Sequence, residues 1–184
     1  MIGPDGAYSI EPFRTADEIA ARNETLAADI RARIGTADDV VIVGVLRGSF
    51  VFIADLIRAL HRNGISPRID FMTLARYGNA DTSADDVSVV KGMSGGIAGM
   101  RVLLVDDILD TGRTLTFAKN HCLALNAASV SSIVLLDKPS RRIIDIHADF
   151  IGFTIDDRFA VGYGLDYANR HRELPYLGIV SFGD

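Results

Sequence analysis

The run Val-Val-Ile-Val-Gly-Val at 40–45 constrains the fold more than any other stretch of this chain. It is β-branched and has no polar alternation, which reads as a strand buried on both faces inside a parallel sheet. The turn Leu-Arg-Gly-Ser follows at once. From Val51 to His61 the apolar residues Ile53, Leu56, Ile57 and Leu60 then recur at helical spacing. Strands are expected again at 68–75, 102–105 and 130–136, with a helix from Leu115 to Leu125 whose inner face carries Leu115, Ala118, Cys122 and Leu125. Upstream, Thr15-Ala16-Asp17-Glu18 has the form of a capping box, and Ile19, Leu26, Ile30 and Ile34 place a first helix at about 16–33. This alternation predicts an α/β fold: an open, mostly parallel twisted sheet flanked by helices, with right-handed crossovers.

Two stretches depart from the alternation. Residues 76–100 are long, polar and glycine-rich, with one short hairpin expected near 87–90; a segment of this kind is read as a mobile lid. From about 137 to the end only short strand-like pieces occur, which with the N-terminal segment form a small hood-like appendage. The 184 residues thus make one domain, 1–184.

Composition removes several classes of function. A net charge of −5 gives no global basic field for nucleic acid or an anionic membrane, and no apolar run reaches the roughly 20 residues of a membrane span. The lone Cys122 has no disulfide partner, and the N-terminus lacks the pattern of a signal peptide, so a cytoplasmic protein is expected. His61, His121, His147 and His171 are scattered without the spacing of a metal site.

The chemistry concentrates in Val-Leu-Leu-Val-Asp-Asp-Ile-Leu-Asp-Thr-Gly-Arg-Thr-Leu, 102–115. Its carboxylates stand at the carboxyl end of a parallel strand, where open α/β sheets bind their ligands. Asp110-Thr111-Gly112-Arg113-Thr114 then leads into a helix, so backbone amides, hydroxyls and the positive end of a helix dipole converge on one spot suited to a phosphate. Asp106 and Asp107, facing the same crevice, can accept hydrogen bonds from vicinal hydroxyls directly or around a Mg²⁺ ion. Phosphate and diol together describe a ribose phosphate. The stretch has neither the Lys-Ser/Thr pair of a Walker loop nor three spaced glycines of a dinucleotide fingerprint.

It does resemble the phosphoribosyl pyrophosphate (PRPP) motif of the type I phosphoribosyltransferases: an apolar strand, two acids, two apolar residues, a variable residue and Thr-Gly-x-Thr. Asp110 at the variable position is similar to the 6-oxopurine branch, where the resemblance implies a catalytic aspartate that exchanges a proton with N7 of the base. Leu46-Arg47-Gly48-Ser49 resembles the family's pyrophosphate loop, with an unusual cis peptide. The PRPP-binding residues so implied are Leu46, Arg47, Gly48, Asp106, Asp107, Asp110, Thr111, Gly112, Arg113, Thr114 and Arg172. For the purine the resemblance implies Lys138 at the 6-oxo group, Phe159 stacked on the ring, the Ala160 backbone at the Watson-Crick edge, and Asp166 near a metal-linked position. Asp106, Asp107 and Asp166 are then the candidate Mg²⁺ ligands, and Arg76, Tyr77 and Gly78 belong to the lid. Asp106 stands where this branch more usually has glutamate, and Ala75-Arg76-Tyr77-Gly78 lacks the usual lid serine.

The implied activity is transfer of the 5-phosphoribosyl group from PRPP to N9 of hypoxanthine and/or guanine, by a homodimer or homotetramer. Physical chemistry agrees on the base: a lysine ammonium has donors and no acceptor, so it suits a 6-oxo group and repels a 6-amino edge. Two other readings stand beside it. One is an RNA-binding pyrimidine-operon regulator on the same scaffold, which the acidic charge and Asp110 oppose; the other is the same enzyme fold acting on xanthine or another base.

Overall fold

In the computed structural model, which describes residues 8–35, 39–77 and 86–182, the unrelieved apolar run is β2, Val40–Leu46. Val41, Val43 and Val45 enter one apolar cluster and Val40 and Ile42 the other, because successive side chains of a strand leave on opposite faces. The first cluster is covered by α3, Arg113–Ala124, through Leu115, Ala118 and Cys122. The second is covered by α1, Ala16–Ile34, through Ile19, Leu26 and Ile30, and by α2, Phe50–Arg62, through Phe52, Ile53 and Leu56. A strand roofed on both sides has no solvent face, hence no polar alternation. Cys122 is fully buried, and burial pushes its thiol up to about 11.

β2 runs parallel to β3, Arg68–Tyr77, and to β5, Arg101–Leu109. β6, Ser129–Asp137, and β7, Phe150–Thr154, continue in parallel beyond β5. β4, Asp86–Lys91, closes the opposite edge antiparallel to β3, giving the order β4-β3-β2-β5-β6-β7. A second, antiparallel sheet has the order β1-β9-β8, from Tyr8–Arg14, Leu177–Phe182 and Phe159–Val161. It has its own core of Tyr8, Ile10, Val161, Leu174 and Val180.

Helix α1 begins where the capping box places it. Thr15 Oγ1 accepts the Glu18 amide at 3.2 Å, and the Thr15 amide donates back to Glu18 Oε2 at 2.8 Å. Other expectations are corrected. Residues 87–90 lie in β4, whose antiparallel partner is the preceding strand β3, so the pairing expected near 87–90 is made with 74–76. The hood does not take in all of 137–184, because Phe150–Thr154 pairs with β6 in the main sheet. The expected lid is divided: Arg76 and Tyr77 end β3, Gly78 lies outside the described residues, and 92–100 is tied to the body. There Asp70 accepts the Ser94 amide at 3.2 Å, the Ser94 hydroxyl at 3.1 Å and the Gly95 amide at 2.8 Å, while Ile97 is buried in the α3-side core.

Candidate active site

β5 does not stop at Val105. Asp106 and Ile108 still pair with Val134 and Leu136 of β6, so the acidic residues leave from the strand itself. Asp106 is buried, and its Oδ1 accepts the Asp107 amide at 2.9 Å; Asp107 Oδ1 accepts the Ile108 amide at 3.0 Å. Burial pushes the Asp107 carboxyl up, against the opposing pull of Asp106, the local amides and Arg172. Both acids line a cavity of about 180 Å³ together with Val45, Arg47, Gly48 and Thr114.

The loop after β2 closes the other side of that cavity. The Leu46–Arg47 peptide is cis, as the resemblance implied. A Cβ on Gly48 would overlap the Asp107 carboxylate. Glycine is therefore what lets this backbone approach the acids so closely.

At the end of β5, Asp110, Thr111 and Gly112 carry the chain into α3, which starts at Arg113 rather than at Leu115, so Thr114 stands in its first turn. Gly112 caps the helix at φ +88°, a left-handed conformation that favours glycine. A Cβ there would come within 2.7 Å of Ile146 Cγ2 and 3.0 Å of the Ile144 carbonyl. Asp110, Thr111, Gly112 and Thr114 line a small recess that shares Ile108 and Thr114 with the larger cavity. First-turn amides and the helix dipole favour an anion there.

Lys138 follows β6, and the register beside β5 brings it to Asp110: its amide donates to the Leu109 carbonyl at 2.9 Å. The residue is buried. Burial pulls its ammonium below the ordinary lysine range, and the carboxylates of Asp110 and Asp157 offset only part of that pull. Arg141 Nε lies 2.8 Å from Asp110 Oδ1, a contact with no counterpart in the sequence reading. The only sequence signal for it was the adjacent pair Arg141-Arg142 three residues after Lys138.

Phe159 opens β8 with 44% of its surface exposed; its ring meets Tyr167 and Phe182 edge-on at centroid distances of 5.6 Å and 6.5 Å. Ala160 is buried and pairs with Ile179. Because β8 is an edge strand, alternate backbone groups point away from β9 toward any ligand on that side. Arg172 donates to the Gly164 carbonyl at 2.6 Å and pairs with Asp166 Oδ1 at 2.6 Å.

The expected three-carboxylate metal set is not assembled. Asp166 is engaged by Arg172 and by the Asn169 amide at 2.7 Å, and among the described residues no group of three or more His, Cys, Asp or Glu could hold a metal ion. The donor chemistry nevertheless fits Mg²⁺ brought by a substrate. That ion needs one or two carboxylates, keeps several waters and completes its shell with phosphate oxygens, and Asp106 and Asp107 offer carboxylates to one cavity.

A phosphate cradle, paired acids and a buried lysine beside an aspartate form the constellation that the resemblance implied for a type I phosphoribosyltransferase. Comparison with known proteins agrees. The phosphoribosyl transferase domain profile matches residues 12–168. The chain is 42% identical over 178 residues to the hypoxanthine phosphoribosyltransferase of Escherichia coli K12, covering 96% of this chain and 98% of that protein. It is 46% identical over 175 residues to the enzyme of the same name from Haemophilus influenzae, covering 94% and 96%. In structure it is similar to a hypoxanthine-guanine phosphoribosyltransferase of Bacillus anthracis, with a TM-score of 0.87 at 36% identity over 94% of this chain and all of that one. The chain belongs to the phosphoribosyltransferase family, in its hypoxanthine phosphoribosyltransferase branch.

Proposed function

We propose that this protein transfers the 5-phosphoribosyl group of PRPP to N9 of a 6-oxopurine, hypoxanthine and/or guanine, giving IMP or GMP and pyrophosphate in purine salvage. The observation that carries the reading is the meeting of Lys138, Asp110 and the start of α3 at the rim of the central sheet.

In this reading the 5-phosphate sits on the amides from Thr111 to Thr114, and Asp106 and Asp107 accept the ribose hydroxyls. Asp110 takes the N7 proton while N9 displaces pyrophosphate with inversion at C1. Lys138 donates to the 6-oxo group, Phe159 stacks on the base, and outward backbone of β8 at Ala160 reads its edge. Stacking of this kind is worth ~1–3 kcal/mol and is indifferent to base identity, so the edge contacts discriminate. Arg47 and Arg172 neutralise the departing pyrophosphate. A Mg²⁺ ion brought with PRPP would be held by the carboxylates of Asp106 and Asp107, with Asp166 the further candidate, and would supply neutralisation of the substrate's negative charge. A lid, for which the resemblance names Arg76, Tyr77 and Gly78, would exclude water from the activated sugar.

A homodimer or homotetramer is the proposed assembly, and it would cover apolar side chains exposed at Phe50, Ile69 and Phe71. A cytoplasmic location is proposed with it; among the described residues no helix is long and apolar enough to cross a membrane.

The test is pyrophosphate release from Mg-PRPP with hypoxanthine, guanine, xanthine, adenine and orotate. Release with hypoxanthine or guanine and none with adenine or orotate is expected. Absence of release with every 6-oxopurine would overturn the assignment.

A further inference from the structure

Arg141 closes the short 3-10 turn Pro139–Arg141 that follows β6. Its Nε lies 2.8 Å from Asp110 Oδ1, and its Nη1 donates to Asp157 Oδ1 at 3.1 Å. One guanidinium thus spans carboxylates from two parts of the chain. Asp110 opens the phosphate loop; Asp157 lies two residues before Phe159, in the turn between β7 and β8. The neighbouring Arg142 makes other contacts, donating to the main-chain carbonyls of Leu109, at 3.0 Å, and Asp110, and pairing with Asp137. Arg142 secures the backbone of the loop, and Arg141 its functional side chain.

The oxygen that Arg141 engages is the inner one. Asp110 Oδ1 is shielded from solvent, and its contact with Arg141 is an ion pair that lacks the angle of a linear hydrogen bond. With Oδ1 engaged, Oδ2 is the oxygen left to face a ligand. Lys138 is within the field of both carboxylates and of Arg141, so two acids and two cations form one neutral group around the place where the base would lie. A guanidinium suits the bridging position because its donors are fixed in a plane and point along different edges; an ammonium is a point charge without that geometry.

We propose that Arg141 is a positioning residue for the purine. It orients the Asp110 carboxylate and, through Asp157, holds the turn that carries Phe159, so that the proton acceptor and the stacking ring meet the base as one preorganised unit. This rests on the reading of Asp110 as the N7 group. It assigns to Asp157 a share in base binding without contact with PRPP. Arg141 is half exposed and belongs to no apolar cluster, so its replacement leaves the cores intact.

The experiment compares the full-length wild type with Arg141→Met, Arg141→Lys, Asp157→Asn, the Arg141→Met/Asp157→Asn double variant and Asp110→Asn. It measures kcat, KM for hypoxanthine, the dissociation constant of Mg-PRPP and the thermal midpoint. Arg141→Met should lower kcat/KM for hypoxanthine roughly 10- to 100-fold, the scale of misplacing a reacting group by up to about 1 Å. PRPP affinity should stay within about twofold, and the thermal midpoint within about 2 °C. Asp157→Asn should act on KM with little change in kcat, Arg141→Lys should recover only part of the loss, and Asp157→Asn should add nothing in the Arg141→Met background. Wild-type kinetics for Arg141→Met, a loss that follows the thermal midpoint, or additivity of the two substitutions would overturn the inference. Asp110→Asn separates the two levels: wild-type turnover in that variant removes Asp110 from the reaction, whereas a defect there beside a normal Arg141→Met removes only the role given to Arg141.

Discussion

In the proposed reading Lys138 is the residue on which the choice of base turns. Burial pulls its ammonium below the ordinary lysine range, Asp110 and Asp157 opposing that pull in part; in the proposed reading it donates where a 6-amino group could not accept. Lys138→Gln should cut kcat/KM for hypoxanthine by about 10- to 100-fold, the range for losing a hydrogen bond to a charged group, mostly through KM. PRPP affinity should hardly change. Steady-state kinetics beside a PRPP titration checks this, and an unaltered hypoxanthine KM would free Lys138 from base recognition. Lys138 was legible in the sequence through its resemblance to a family position, whereas Arg141 was not. Its meeting with Asp110 depends on the register that sets Leu109 beside Asp137 and on the turn that follows, neither of which a linear pattern displays.

Among the elements, the segment from 92 to 100 shows how a polar, glycine-rich stretch can be fixed. Burial tends to raise the Asp70 carboxyl, but the amides of Gly95, Phe71 and Ser94 and the Ser94 hydroxyl outweigh it and hold the group below its ordinary value of 3.8. Asp70→Ala should therefore destabilise the protein by about 1–2 kcal/mol, by analogy with the loss of a helix cap. Since the folded carboxyl is depressed, this difference between wild type and variant is fully present above the ordinary carboxylate pKa, shrinks as pH falls below that value and is lost as pH falls through the folded one. Denaturant unfolding at pH 7 and at pH 3 checks both size and sign; a larger gap at pH 3 would contradict the assignment. Helix α1 was legible to within a residue because Thr15 and Glu18 form a local cap. β5 was read too short because Asp106 and Asp107 are polar, yet β6 keeps the ladder extended beneath them. β1 and β9 were not read as strands at all: Tyr8 pairs with Phe182 across nearly the whole chain, and such partners leave no local periodicity.

At the scale of the whole molecule, the main sheet supplies the phosphate cradle and the acids, and the small antiparallel sheet supplies the exposed aromatic face of Phe159. Tyr8, Tyr167 and Phe182 pack as one aromatic cluster with Phe159, so in the proposed reading the N-terminal strand would support the stacking face. The chain carries a net charge of −5, so a polyanionic substrate needs local cationic help, which the proposed reading assigns to Arg47, Arg172 and the start of α3. A larger groove of about 940 Å³ lies elsewhere, between α1, α2 and the 172–175 segment, with a mostly apolar lining. It has the volume for a nucleotide, but Asp106, Asp107, Asp110 and the start of α3 line the recesses at the end of β5 and not this groove. The central claim is thus one of place, and a crystal structure with Mg-PRPP and an unreactive 6-oxopurine analogue tests it most directly. Density for the 5-phosphate on the amides of 111–114, the ribose on Asp106 and Asp107 and the base between Lys138 and Phe159 is the predicted result. Density for the sugar phosphate in the groove between α1 and α2, with the end of β5 bare, would contradict it.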